Sequence, residues 1–235
     1  GNGNVVTTAG GSLNLSNAAD TFAGVLSGAG SLRLFAGTQT LAGANTFTGG
    51  TTVDGGNLVL SKAGTSGSGS LVNNASAAIT VNNGGTLTFA ANDMFGIHSA
   101  NVVTPITING GGTVNNNGTY VSKLGPLTLN GGTLTSTGGF NTAQGPVAWV
   151  LGGTVTVTGS STSTISGTGN VMLGSGAQTG TTFNVTGTKL LVSANLINGG
   201  TTGAWGTQQP SYLTKQGSGT LTLSGANTYT GATTV

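Results

Sequence analysis

The most constraining feature of this sequence is that one 13-residue segment occurs in it twice. Leu41–Val53 reads LAGANTFTGGTTV, and Leu223–Val235 reads LSGANTYTGATTV, about 180 residues further along the chain. Units of this size cannot bury their apolar faces alone and must stack on neighbouring units. The self-similarity therefore predicts a repeat protein built from stacked modules.

A second recurring element is an alternating triplet of apolar and polar residues. Two-residue periodicity is typical of β-strands, because successive side chains point to opposite faces of a sheet. We expect Leu, Val and Phe in these triplets to enter a core, and Thr, Asn and Arg to face water. The triplets lie at residues 12–15, 31–34, 57–60, 86–89, 126–129, 154–157, 170–173 and 220–223.

Glycine corners precede nearly every triplet, at intervals of roughly 20 to 30 residues. Glycine adopts positive φ at no steric cost, which allows a sharp turn between short strands. This spacing favours an all-β parallel β-helix over a meander of hairpins with two-residue turns. Asn74, Asn83 and Asn109 are compatible with turns, so an antiparallel β-sandwich stays open as the alternative fold. The corners lie at Gly10, Gly28, Gly55, Gly84, Gly111, Gly131, Gly152, Gly167 and Gly217.

Composition excludes several classes of protein. Only 3% of the residues are charged, against about 25% in an average soluble domain, so the surface must consist of Thr, Ser, Asn and Gly. With 35% hydrophobic residues and a net charge of +2, the chain does not have the composition of a disordered protein. Its five cations are scattered singly, which excludes a nucleic-acid-binding face.

Disulfides and thiolate metal sites are ruled out because the chain has no cysteine. The longest apolar cluster, residues 146–151, is far shorter than the roughly 18 residues of a membrane helix, so we expect no membrane span. The sequence starts at Gly1 without a methionine, which predicts a processed or excised piece of a longer protein.

Residues 213–235 closely resemble the passenger-associated β-strand repeat of bacterial autotransporters. A second copy begins at Thr21–Leu32, continues through Ala36 and Gly37, and ends with Leu41–Val53. The resemblance implies a right-handed parallel β-helix (a β-solenoid), secretion across an outer membrane, and a place at the cell surface or beyond it. In that family the solenoid is typically a stalk or an adhesive surface, and any enzymatic activity sits in a separate inserted domain.

An enzyme built from this chain would have to use its single histidine, His98, together with one of three aspartates, Asp20, Asp54 or Asp93. Asp93, His98 and Ser99 fall within one short segment, which invites comparison with a Ser-His-Asp triad. However, the chain has no Gly-x-Ser-x-Gly elbow to present the nucleophile, and no glutamate for paired-carboxylate glycoside cleavage. We therefore predict a non-catalytic protein without catalytic, cofactor-binding or metal-binding residues, and a hydrolase fragment of an autotransporter passenger stays open as an alternative.

Two polar features have structural interpretations. The sequence lacks the Gly-Gly-x-Gly-x-Asp motif of calcium-binding solenoids, so we interpret Asp54 as a turn residue bonded to its own backbone. We expect Asn45 and Asn227 to form a stacked amide ladder at a buried corner, as in cross-β assemblies.

Rows of threonine support a second functional hypothesis, the binding of polysaccharide or ice by a flat hydroxyl array. Threonine is also simply a preferred residue on exposed strands. The candidate rows are Thr86 and Thr88, then Thr154, Thr156 and Thr158, and finally Thr220 and Thr222.

The expected organisation is one solenoid domain over residues 1–235, with irregular excursions near residues 92–105, 140–149 and 203–212. The last two excursions contain both tryptophans, Trp149 and Trp205, which would suit carbohydrate or protein contact if exposed, or packing under a loop. Expected partners are a second copy stacked end to end, or continuation in a longer rod. A glycan or another cell-surface molecule is a further candidate partner.

Overall fold

The structure, a computed structural model, describes residues 2–64, 69–95, 102–119, 121–138, 147–174, 179–201 and 204–235. These residues form 26 short β-strands, and no helix occurs among them. Accordingly, no helix in this part of the chain could cross a membrane.

Ten strands make up the first sheet, sheet 1. In spatial order they are β2 (Ser12–Leu15), β5 (Ser31–Leu34), β7 (Thr51–Val53), β9 (Ile79–Val81), β11 (Ile106–Asn109), β14 (Leu127–Asn130), β17 (Thr154–Val157), β20 (Gly180–Val185), β24 (Tyr212–Gln216) and β26 (Thr233–Thr234). We number the coils 1 to 10 by these strands.

Nine strands make up sheet 2. They are β3 (Ala18–Phe22), β6 (Gly37–Leu41), β8 (Gly56–Leu60), β10 (Gly85–Phe89), β12 (Thr113–Asn116), β15 (Thr133–Ser136), β18 (Thr162–Ile165), β21 (Lys189–Val192) and β25 (Thr220–Leu223).

A third side of the coil is more irregular. It contains the pair β1 (Val5–Thr7) and β4 (Leu26–Gly28), and the five-stranded sheet 3 with β13 (Ser122–Leu124), β16 (Val147–Leu151), β19 (Asn170–Leu173), β22 (Leu196–Thr201) and β23 (Ala204–Gln209).

Apart from β22 and β23, which belong to one coil, neighbouring strands in each sheet come from consecutive coils and run parallel, which confirms the predicted parallel β-helix. Contacts between adjacent coils join residues 19 positions apart at Leu26 and Asn45, and 32 apart at Asn198 and Thr230. Among the described strand pairs, only β22 and β23 run antiparallel. The β-sandwich alternative is therefore wrong, and the right-handed sense of the coil stays a prediction.

The core consists of apolar side chains stacked in columns along the axis. In sheet 1 one column is completely buried over seven coils, because each strand places the same position directly over its neighbour. It contains Leu34, Val53, Val81, Ile108, Leu129, Val157 and Val185. Each of the eight predicted triplets lies in, or overlaps, a strand of one of the sheets.

Sheet 3 departs from the simple rule of one buried face and one wet face. Met172 lies between Val171 and Leu173, yet all three are fully buried. Met172 belongs to a second, smaller apolar cluster on the outer side of this sheet, with Val121, Val147, Val150 and Ile197. The outer side of sheet 3 is therefore covered, whereas a strictly alternating pattern would leave it in water.

Several predicted corners have the left-handed backbone that favours glycine. Gly56 has a φ of 72°, and a Cβ placed there would lie 2.1 Å from the carbonyl oxygen of Gly37 in the preceding coil. A side chain at this corner would thus strain the backbone and collide with the preceding rung. Glycine is required here both by the turn and by the close stacking of coils.

The connections differ in length between the sides of the coil. Every passage from sheet 1 to sheet 2 uses two to four residues, whereas the connection from β8 to β9 covers residues 61–78. The predicted excursion near 92–105 lies between β10 and β11, partly outside the described residues. Of the other two, residues 147–149 form the start of β16, residues 204–209 form β23, and Tyr212 begins β24.

Candidate functional surfaces

The outer face of sheet 2 carries threonines in register. Thr86, Thr113, Thr133 and Thr164 occupy the same position on four successive strands. Each is partly exposed. Since neighbouring strands lie about 4.8 Å apart, their hydroxyl groups form a regular file along the solenoid axis.

A second file of small polar residues runs beside the first, two residues further along each strand. It contains Thr88, Asn115 and Thr135 in direct register. Asn115 and Thr135 are partly exposed, whereas Thr88 is only 4% exposed, so the predicted exposure of Thr88 is wrong. Ser166 donates a hydrogen bond from Oγ to Thr135 Oγ1 at 3.0 Å, and Thr88 Oγ1 donates to Asn57 Oδ1 at 2.8 Å. These contacts fix the side chains relative to one another before any ligand binds.

Sheet 1 carries a separate outward file of five threonines on coils 3 to 7. It contains Thr52, Thr80, Thr107, Thr128 and Thr156. The structure therefore distributes the predicted threonine rows over different surfaces. Thr86 and Thr88 share sheet 2 with Thr220 and Thr222 but lie several strands from them, while Thr154 and Thr156 belong to sheet 1 and Thr158 follows it at a corner.

A polar ladder connects five consecutive coils at the corner between sheets 1 and 2. Arg33 pairs with Asp54, Asn82 Nδ2 donates to Asp54 Oδ1 at 2.7 Å, and Asn109 Nδ2 donates to Asn82 Oδ1 at 2.7 Å. Asn130 Nδ2 continues the ladder to Asn109 Oδ1 at 3.2 Å. We call these five residues, Arg33, Asp54, Asn82, Asn109 and Asn130, the corner ladder.

The sequence predicted that the Asp54 side chain bonds to its own backbone, whereas in the structure its carboxylate contacts the side chains of Arg33 and Asn82. The hydrogen bond from Arg33 is the main reason that the pKa of Asp54 lies below its ordinary value, and Asn82 lowers it further against the opposing effect of burial. The Arg33 guanidinium also lies over the Phe35 ring, 4.7 Å from its centroid. The carboxylate is therefore held ionised as the acceptor of two side chains from neighbouring coils.

The amide ladder predicted at Asn45 and Asn227 is wrong in its location. These residues bond to backbone groups of adjacent coils: Asn45 Oδ1 accepts from Leu26 N at 2.8 Å, and Asn227 Oδ1 accepts from Leu196 N at 2.9 Å. Stacked amides occur instead in the corner ladder. The signal that could have found it was a polar residue directly after an apolar strand, at Asp54, Asn82, Asn109 and Asn130.

The catalytic candidates do not form a site within the described chain. Asp20 is exposed in coil 1, where the backbone amide of Thr21 is the first cause of its lowered pKa. Asp93 is buried beyond β10, and His98 and Ser99 lie outside the described residues. Among the residues that the structure describes, no group of three or more His, Cys, Asp or Glu could hold a metal ion.

The aromatic residues considered as contact residues differ in their burial. Trp149 is fully buried inside the solenoid, where Nε1 donates to the Thr135 carbonyl at 3.0 Å and the ring packs edge-on against Phe89. It therefore belongs to the core and is not a contact residue. Tyr212 is 41% exposed at the start of β24, and the side chain of Trp205 lies outside the described part of the structure.

Comparison with known families gives one finding. The model of the passenger-associated-transport-repeat matches residues 36–60 and 213–235. The first match covers β6, β7 and β8, and the second runs from β24 to β26. Two segments of the chain therefore match the passenger-associated-transport-repeat, and both are incorporated into the parallel coil. No curated protein and no solved structure matches the chain.

Proposed function

We propose that this chain is a non-catalytic segment of an extracellular passenger, serving as a stalk or an adhesive element at the cell surface. The observation that carries the proposal is the pair of passenger repeats in one parallel solenoid. Both copies dock on the coil before them by the same bond: Thr46 N donates to Leu26 O at 2.8 Å, and Thr228 N donates to Leu196 O at 2.9 Å.

A stalk function predicts two experimental results. Electron microscopy of the purified chain should show a rod of about 43 Å, which is nine spacings of about 4.8 Å between ten rungs. Protease treatment of intact cells that express the full gene should remove the epitope-tagged chain. Globular particles, or complete protection of the tag in intact cells with degradation only after lysis, would contradict the proposal.

Absence of catalysis is part of the same proposal. Two observations support it: Asp54 is engaged by Arg33 and Asn82, and Asp20 lies two coils before it in the stack. We expect no turnover in panels of esterase, protease and glycosidase substrates. Activity that disappears in His98→Ala and persists in Asp20→Asn would overturn this part of the proposal.

The two ends of the described solenoid support association along the axis. Val5, Leu13 and Leu15 are only partly buried at one end, as are Leu221 and Leu223 at the other. An unpaired strand edge is a template for further parallel pairing. We propose that such edges are covered by another coil, either of a longer rod or of a second copy stacked end to end.

Light scattering across a concentration series separates these two sources of the covering coil. Growth of the particle mass with concentration indicates head-to-tail stacking, because contacts that do not close into a ring give open fibres. A constant monomer mass at high concentration would remove the self-stacking version.

A second candidate function, favoured by the in-register hydroxyl files of sheet 2, is the binding of a flat, uncharged surface such as a polysaccharide or ice. The four threonines of the first file carry no charge, and neither do the partly exposed residues beside them, Asn115, Thr135 and Ser166. The stiff χ1 of threonine fixes each hydroxyl group, so a rigid repeating partner can be contacted at many points at once.

This candidate is tested with matched lysine variants. Thr113→Lys and Thr133→Lys should abolish retention on insoluble cellulose or chitin, or shaping of ice crystals. Thr107→Lys is the control, because Thr107 is also partly exposed but lies on sheet 1. If all three variants were retained equally, the array would be excluded as a binding surface. The same conclusion would follow if the unmodified chain were not retained at all.

A further inference from the structure

The corner ladder is not required by the proposed function, and its hydrogen bonds have a defined direction. An ionised carboxylate can only accept hydrogen bonds, whereas a carboxamide has a donor and an acceptor end. The contact with Asp54 therefore obliges Asn82 to present its Nδ2 group. Its Oδ1 then faces the next coil, where it accepts from Asn109.

The same constraint passes along the file. With its Nδ2 group committed to Asn82, Asn109 presents Oδ1 to the following coil and accepts from Asn130. All three amide dipoles thus point the same way along the axis, with their donor ends towards Asp54. Hydrogen bonds in such a chain polarise one another, so each strengthens the next.

The two ends of the ladder are closed by different means. On coil 2 the Arg33 guanidinium pairs with Asp54 and covers the exposed Phe35 ring. On coil 7, Gly159 lies against Asn130, and a Cβ at that glycine would approach Asn130 Oδ1 to 2.1 Å. The ladder therefore extends over coils 2 to 6, with its only carboxylate near one end.

We propose that Asp54 sets the orientation of all three amides, and that its ionisation couples coils 2 to 6 through the corner ladder. Protonation of the carboxyl group would add a donor where the ladder needs an acceptor, and would remove the charge paired with Arg33. The amide of Asn82 would then lose its fixed direction, and the effect would pass to Asn109 and Asn130.

Few groups face Asp54, so the proposed coupling between its ionisation and the ladder amides is simple to test. Arg33 faces it from coil 2 and carries a permanent charge, whereas the facing group from coil 4, Asn82, does not titrate. Because the pKa of Asp54 in the folded state is lowered, the ladder is fully formed above the ordinary aspartate pKa. It is lost as the pH falls through the lower folded value.

The test uses side-chain amide resonances in ¹H–¹⁵N spectra of the whole chain during an acid titration. We expect the signals of Asn82, Asn109 and Asn130 to titrate at one common midpoint, with shifts that decrease with distance from Asp54. Asp54→Asn should abolish this common titration. Asp20→Asn is the matched control, since Asp20 lies outside the ladder, and it should leave the titration unchanged.

Two results would overturn the proposal. The first is a titration confined to Asn82, which would show that the carboxylate acts only on its nearest neighbour. The second is the same common titration in Asp54→Asn, which would assign the midpoint to another group. If Asp54→Asn does not fold, the wild type and Asp20→Asn still decide, because only the coupled ladder moves Asn130 together with Asn82.

Discussion

The two copies of the repeated segment have nearly the same sequence and very different surroundings. In the inner copy Phe47 and Val53 are 3% and 0% exposed, whereas in the outer copy the equivalent Tyr229 is only partly buried and Val235 is 94% exposed. Both copies make the same bond to the coil before them. Within the described residues, a further coil lies on the other side of the inner copy only.

A repeat in this fold therefore does not specify its own burial. Asn45 donates from Nδ2 to the Ser70 carbonyl at 2.8 Å, a contact with the following coil, in addition to its bond to the coil before it. Stability of a solenoid is approximately a sum of repeat terms and nearest-neighbour interfaces. The same side chain should therefore contribute more to the free energy of unfolding in the inner copy than in the outer copy.

The largest effect is expected from a charge placed in the buried column. Val53→Asp puts an unpaired carboxylate among fully buried side chains and should cost about 4 kcal/mol or more. The equivalent Val235→Asp should change the free energy of unfolding by less than about 0.5 kcal/mol. Urea denaturation of both variants measures the contrast, and similar losses would refute the dependence on a covering coil.

Truncation of the aromatic residue should give the next largest contrast. We expect Phe47→Ala to cost about 3 to 5 kcal/mol, because it removes a buried ring and leaves a cavity. Tyr229→Ala should cost about 1 kcal/mol, since that ring is half in water. Thermal unfolding followed by circular dichroism tests this pair, and a Tyr229→Ala loss as large as that of Phe47→Ala would count against it.

The asparagine at the centre of the repeat should give a smaller contrast. Asn45→Ala leaves the buried Leu26 amide without its acceptor and should cost about 1 to 3 kcal/mol. Asn227→Ala removes the same kind of bond at a more exposed site, so water replaces much of what is lost. Chemical denaturation should place the loss for Asn227→Ala clearly below that for Asn45→Ala, and the reverse order would be inconsistent with the structure.

The smallest effect concerns Asp54, which directly follows the inner copy. Its lowered pKa means that it stabilises the fold above the ordinary aspartate pKa, and that this contribution disappears as the pH falls through the lower folded value. Asp54→Asn should therefore unfold with a shallower dependence on acid pH than the wild type. Asp20 has a lowered pKa of its own, so the comparison includes Asp20→Asn, and an unchanged acid profile in Asp54→Asn would contradict the prediction.

The fold could be predicted from the sequence because the patterns that specify its strands and turns are local. The alternation of Leu32, Arg33 and Leu34 specifies a strand, and corners such as Gly56 specify where the chain turns, without any knowledge of neighbours. Parallel stacking followed from the interval between corners. The buried Met172 was not predictable in this way, because the covering of sheet 3 depends on chain from other coils.

The functional surfaces were harder to predict from the sequence, because they depend on the register between coils of unequal length. Thr86, Thr113 and Thr133 are separated by 27 and then 20 residues, so no fixed period places them in one file. The corner ladder was missed for the same reason. Asn45 and Asn227 attracted attention by their identical local sequence, whereas stacking brings together residues whose local sequences differ.

Hydrogen exchange of the two repeated segments in dilute, monomeric protein measures directly how much a covering coil protects each segment. If burial is set by the covering coil, amides in residues 41–53 should exchange much more slowly than those in residues 223–235, although the two sequences are nearly identical. Equal exchange in both segments would contradict the account, because it would mean that the repeat carries its own stability.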